Sequence, residues 1–99
     1  MTGLPPPPGT DWTDYELDEI GRLEALCSKL GYWKLECTHT DAGDPWCVIY
    51  DERLDGIVLH FARIDRRYIV EGPLRQRSVT MATIEAAVDI ALDELISPR

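Results

Sequence analysis

The hydrophobic pattern of this chain changes period twice. Helical spacing gives way to alternation near Trp33, and helical spacing returns after Val79. The two periods belong to different backbones, so the chain is restricted to a β segment flanked by two amphipathic helices. In the first helical segment Ile20, Leu23, Leu26, Cys27 and Leu30 fall on one stripe, with Asp18, Arg22 and Lys29 opposite. Thr13-Asp14-Tyr15-Glu16 has the spacing of a capping box, in which hydroxyl and carboxylate each satisfy an orphan amide at the helix start. Asp14, Glu16, Asp18 and Glu19 suit the positive end of the helix dipole, and Gly31 supplies the left-handed residue that ends a helix. The second stripe is Ile84, Ala87, Val88, Ala91 and Leu95, with Met81 and Leu92 at its margins. Ser78 or Thr80 is the expected N-cap, and Ser97-Pro98 the stop.

Trp33, Leu35, Cys37 and His39 alternate with Lys34, Glu36, Thr38 and Thr40, the pattern of a half-buried strand. Three further strands follow, over Trp46 to Tyr50, Ile57 to Ile64 and Tyr68 to Glu71, before Gly72-Pro73. They are joined by turn chemistry at Asp51 to Gly56 and at Asp65-Arg66, although Arg66 stands where a two-residue turn usually wants glycine. Residues 74–79 read as a basic connector. Short connections between neighbouring strands imply an antiparallel meander, and two amphipathic helices need a shared apolar surface. The expected fold is α+β, in the order α-β-β-β-β-α, with a four-stranded antiparallel meander and both helices packed on one face. Residues 11–99 form one domain. Residues 1–10 form a disordered Pro-rich tail, because Pro5 to Pro8 fix φ and remove four amide donors.

Charge narrows the function classes. Ten Lys and Arg against eighteen Asp and Glu leave a net charge of −8, the wrong sign for nucleic acid or an anionic membrane. No apolar run reaches the ~20 residues of a membrane span. The N-terminus has neither the basic start nor the apolar core of a signal peptide. Three cysteines without a CxxC pair fit reduced thiols in a cytoplasm. Neither nucleic acid nor membrane is expected as a partner, and no cofactor is expected.

The middle strands are the most informative feature, because neither side of the sheet alternates into a polar face. With a four-residue loop at 52–55, Asp51 pairs with Gly56, Cys47 faces His60 and Ile49 faces Val58. With a two-residue turn at Asp65-Arg66, Ile64 pairs with Arg67, and His60 faces Glu71. One side then carries Cys47, Ile49, Val58, His60, Ala62, Ile64, Ile69 and Glu71. The other carries Trp46, Val48, Tyr50, Leu59, Phe61, Arg63, Tyr68 and Val70. Two helices cover one side, and a large apolar patch left over marks an interaction surface. The expected function is a non-catalytic interaction or regulatory module, bound to a protein partner or to a second copy of itself. Trp46, Tyr50, Phe61 and Tyr68 are its expected apolar contacts, and Arg63, Arg66 and Arg67 its charged ones, since aromatic residues and arginine anchor interfaces. An alternative is a small anion or nucleotide-like ligand held by the arginines between Arg63 and Arg77, whose forks match oxyanions. A third is a Cys–His enzyme built on Cys47 and His60 with Glu71. Cys37, His39, Cys47 and His60 also form a formal Cys₂His₂ set. Asp41 and Asp44 in the loop TDAGDP read as an Asx turn rather than a cation site.

Overall fold

A computed structural model describes residues 5–72 and 77–96. It shows helix α1 (Asp14–Leu30), strands β1 (Trp33–His39), β2 (Pro45–Asp51), β3 (Gly56–Ile64), β4 (Arg67–Gly72) and β5 (Arg77–Met81), and helix α2 (Ile84–Ile96). The strands form one antiparallel sheet in sequence order. The α+β class therefore holds, but the meander has five strands, not four. β5 lies in part of the stretch expected as a connector. Its Val79 and Met81 pair with Val70 and Tyr68 on the helix side, while Ser78 and Thr80 are exposed. An edge strand needs only that short alternation.

The start of α1 follows the capping box. Glu16 N–H donates to Thr13 Oγ1 at 3.1 Å, and Thr13 N–H donates to Glu16 Oε1 at 2.9 Å. Gly31 ends the helix at φ 84°, its N–H bonded to the Cys27 carbonyl. α2 starts later than either expected cap. Thr83 is its first anchor, accepting from Ala86 N–H through its side chain and from Ala87 N–H through its carbonyl. The stretch containing Ser78 and Thr80 is already strand. Pro73 to Gln76 and the Ser97-Pro98 stop lie outside the described residues.

Both helices cover the same face. Ile20, Leu23 and Cys27 of α1 and Ile84, Ala87, Val88, Ala91 and Leu95 of α2 join Trp33, Cys47, Ile49, Leu59, Phe61, Tyr68 and Val70 in one core. Register explains why these strand residues face inward. Asp51 pairs with Gly56 and Tyr50 with Ile57, as a four-residue loop requires, but Ile49 pairs with Leu59. Val58 is an extra residue in β3, a bulge. It exchanges the sides of β2 relative to β3, so Cys47 pairs with Phe61 rather than His60, and Val48 takes His60. The β3–β4 register matches expectation, with Ile64 on Arg67 and His60 on Glu71.

The β3–β4 turn places Asp65 at φ 53° and Arg66 at φ 62°. Two successive left-handed residues make the turn whose twist matches a hairpin, at a steric cost for side chains with a Cβ. Asp65→Asn with Arg66→Gly is therefore expected to stabilise the fold by about 1 kcal/mol, read as a higher urea midpoint with an unchanged slope. A lower midpoint would show that the Arg66 contact to the Pro5 carbonyl, 3.5 Å long, outweighs the backbone gain. At Gly72 space rather than φ is decisive. A Cβ there would come within 2.8 Å of Glu94 Cγ, and Glu94 is itself buried beside Arg77, 3.7 Å away.

Candidate functional site

Pairing across the sheet fixes the composition of its open face. Trp46, Val48 and Tyr50 of β2 meet Ala62, His60 and Ile57 of β3, and beyond them lie Ile69 and Glu71 of β4. Ile57 and Ile64 are 41% and 37% exposed, unusual for isoleucines in a sheet with a helix layer. Trp46, Val48, Tyr50, His60 and Ile69 are half-buried. The Trp46 and His60 rings stack at 5.9 Å between centroids and 8° between planes. Two hollows meet at His60. One, of about 360 Å³, runs from Trp46 and His60 to Ile69 and Glu71 under the β1–β2 loop. The other, of about 690 Å³, lies over Val48, Tyr50 and Ile57. Charged residues of both signs flank this apolar centre. Lys34 and Glu36 are on β1, and Arg67 and Glu71 on β4. Loss of solvent, with the nearby charges of Glu36 and Glu52, pushes the Tyr50 phenol above its ordinary value.

The expected contact residues divide between the two faces. Trp46, Tyr50 and Arg67 belong to the open face, and Arg66 caps its end at the β3–β4 turn. Phe61, Tyr68 and Arg63 are instead buried beneath the helices, at 1%, 3% and 1% exposure. The bulge at Val58 is the reason, because it puts Trp46, Val48 and Tyr50 on the side opposite Phe61 and Tyr68.

Arg63 is the hub of a buried polar network. Its Nε donates to Glu16 Oε2 at 2.9 Å and its Nη2 to Glu16 Oε1 at 3.0 Å. Its remaining N–H groups reach the Thr10 and Asp11 carbonyls at 3.0 and 2.7 Å. Tyr68 Oη donates to Glu16 Oε2 at 2.5 Å. Burial, and that bond to a carboxylate, push the Tyr68 phenol well up. Glu16 continues the α1 stripe one turn before Ile20, so its inward position was readable from spacing. Its partner was not. A second node joins Asp51, which accepts from Trp33 Nε1 at 3.1 Å and from Arg53 Nη2 at 2.8 Å. The Arg53 guanidinium lies 3.6 Å over the Tyr32 ring and, bonded to Asp51, holds that carboxyl well below the usual carboxylate range.

These placements bear on the other chemistries. The arginines between Arg63 and Arg77 are spread over the molecule. Arg63 is buried on Glu16, Arg67 is on the open face and Arg77 is 3.7 Å from Glu94. Arg75 lies outside the described residues. Cys47 faces the core and His60 faces outward, so the Cys–His pair is not assembled. Among the described residues no three His, Cys, Asp or Glu groups converge on a common metal position, so the Cys₂His₂ set does not close. Asp44 Oδ1 instead accepts from Gly9 N–H at 2.9 Å. That bond, with the Thr10 and Asp11 carbonyls on Arg63, ties residues 9–11 to the domain. Among the described residues no helix is long and apolar enough to cross a membrane.

Comparison of the chain with protein-family models, with curated proteins and with solved structures found no match.

Proposed function

We propose that this protein is a non-catalytic interaction module that pairs with a second copy of itself through the open face of its sheet. The observation that carries this reading is the apolar centre of that face, with Trp46, Val48, Tyr50, Ile57, Ile64 and Ile69 on a sheet whose other side is already filled by two helices. Sheets pack face to face at about 10 Å, by interdigitating such residues. Self-pairing is favoured over a foreign partner by the rim. Lys34 and Glu36 on one flank and Arg67 and Glu71 on the other offer each copy both signs of charge, as an isologous interface requires. Trp46 and Tyr50 are the anchors, with Arg67 at the rim, and Arg66 lies at the end of the face.

Sedimentation equilibrium tests the reading. A dimer is expected, strengthened by added salt, because two chains of net charge −8 repel until screened. Val48→Arg puts a charge at the centre of the face and is expected to weaken the dimer by about 100-fold, or about 2.7 kcal/mol, with the monomer's circular dichroism and melting unchanged. A wild-type chain that stays monomeric at roughly 100 μM, weaker than about 5 kcal/mol of association, overturns self-pairing.

A further inference from the structure

We infer that Cys37 and Cys47 form a peroxide-oxidisable dithiol, a modification site on the side of the sheet opposite the proposed pairing face. The two residues are register partners in the β1–β2 ladder and point to the same side, and both are free thiols. Facing residues of an antiparallel pair have Cα atoms about 4.5–5.5 Å apart, inside the range of about 4.4–6.8 Å that a disulfide spans. The bridge therefore needs no rearrangement of the strands.

Access divides the roles. Cys37 is exposed near the end of β1, while Cys47 is 1% exposed in the core. The facing Cys47 side chain, as a hydrogen-bonding neighbour, holds the Cys37 thiol below its ordinary value against the opposing effects of burial, Glu24 and Asp11, and His39 adds to the lowering. The same contact, with burial, pushes the Cys47 thiol well up. Of the two, Cys37 is therefore the more easily ionised and is also the one that solvent reaches, and thiolate character with access is what makes a cysteine reactive. Trp12 closes the site from the core side. Its indole N–H is buried and acts on the Cys47 thiol in the lowering direction.

The chemistry balances with a hydroperoxide as oxidant. The Cys37 thiolate attacks one peroxide oxygen and the O–O bond breaks. Hydrogen peroxide then releases hydroxide, which takes up a proton to become water and leaves Cys37 as a sulfenic acid. The Cys47 sulfur attacks the Cys37 sulfur, the S–O bond breaks, and the hydroxyl leaves as a second water with the Cys47 proton. Two thiols are oxidised to one disulfide, and one peroxide is reduced to two waters.

The test treats the full chain with equimolar hydrogen peroxide, alkylates the remaining thiols in denaturant, and maps the digest by mass spectrometry. The expected product is an intrachain Cys37–Cys47 peptide pair, lighter by two hydrogens and reversed by dithiothreitol. Cys27, buried in α1 with its thiol pushed up by burial, serves as the internal reference and is expected to react at least about tenfold more slowly. In Cys37→Ser, a surface change that leaves the core intact, no link forms and Cys47 is recovered fully alkylated. Interchain disulfides, a Cys37 sulfinic acid with Cys47 still free, or no preference over Cys27 would each overturn the assignment.

Discussion

Arg63→Ala is expected to destabilise the protein by about 3–5 kcal/mol, because it leaves the Glu16 carboxylate buried without its cation. Arg63 and Glu16 are 1% and 2% exposed, and two hydrogen bonds join them in a fork. The loss takes in more than that pair. The Thr10 and Asp11 carbonyls lose their donor, so the segment leading into α1 is freed along with the start of the helix. At about 4–8 °C per kcal/mol for a domain of this size, the melting temperature falls by well over ten degrees. The control is Glu16→Gln with Arg63→Met, which removes both charges. It is expected to recover part of the loss, since an absent ion pair costs less than half of one. A single-variant loss below about 1 kcal/mol, the range of exposed pairs, would place Arg63 at the surface.

Phe61→Ala is expected to cost about 3–5 kcal/mol by opening a cavity in the core. Phe61 is 1% exposed and its ring lies 5.9 Å from that of Trp12. Trp46→Ala, one strand away on the open face, is the informative companion. It is expected to weaken self-association while the monomer unfolds at nearly the same urea concentration. The pair separates the two sides of one sheet by two measurements, unfolding for the inner side and sedimentation for the outer. If Phe61→Ala instead left stability intact and abolished association, the bulge at Val58 would have to be absent.

What the chain declared in advance was its local structure. The Thr13 capping box, the Gly31 stop and both helical stripes were legible because each depends on residues within a turn or two of one another. The β3–β4 hairpin was legible for the same reason, since a two-residue turn leaves one register. The β2–β3 register was not. Gly56–Ile64 reads GIVLHFARI, apolar on both parities, so nothing local reveals which residue is the extra one. The single misplaced residue at Val58 carried Phe61, Tyr68 and Arg63 to the wrong side of the expected interface. β5 was missed because its charged start hid a two-residue alternation, Val79 and Met81. The burial of Arg63 had no signal of its own, as arginine is among the residues least often buried. The open face nevertheless stayed apolar after the exchange, because Trp46, Val48 and Tyr50 came to share it with Ile57, Ile64 and Ile69.

The Glu16–Arg63 fork also constrains the order of events during synthesis. Its two ends are 47 residues apart along the chain. As a nascent chain leaves the ribosome at about 5–20 residues per second, α1 emerges first and waits several seconds for the strand that carries its counter-ion. During that interval the helix start has its cap but no floor. The meander, whose neighbours are sequential, can zip as it appears, and the start of the helix gains its counter-ion only once β3 has been delivered. Slowing elongation between Leu30 and Arg63 is therefore expected to lengthen the life of a state in which Glu16 lacks its counter-ion.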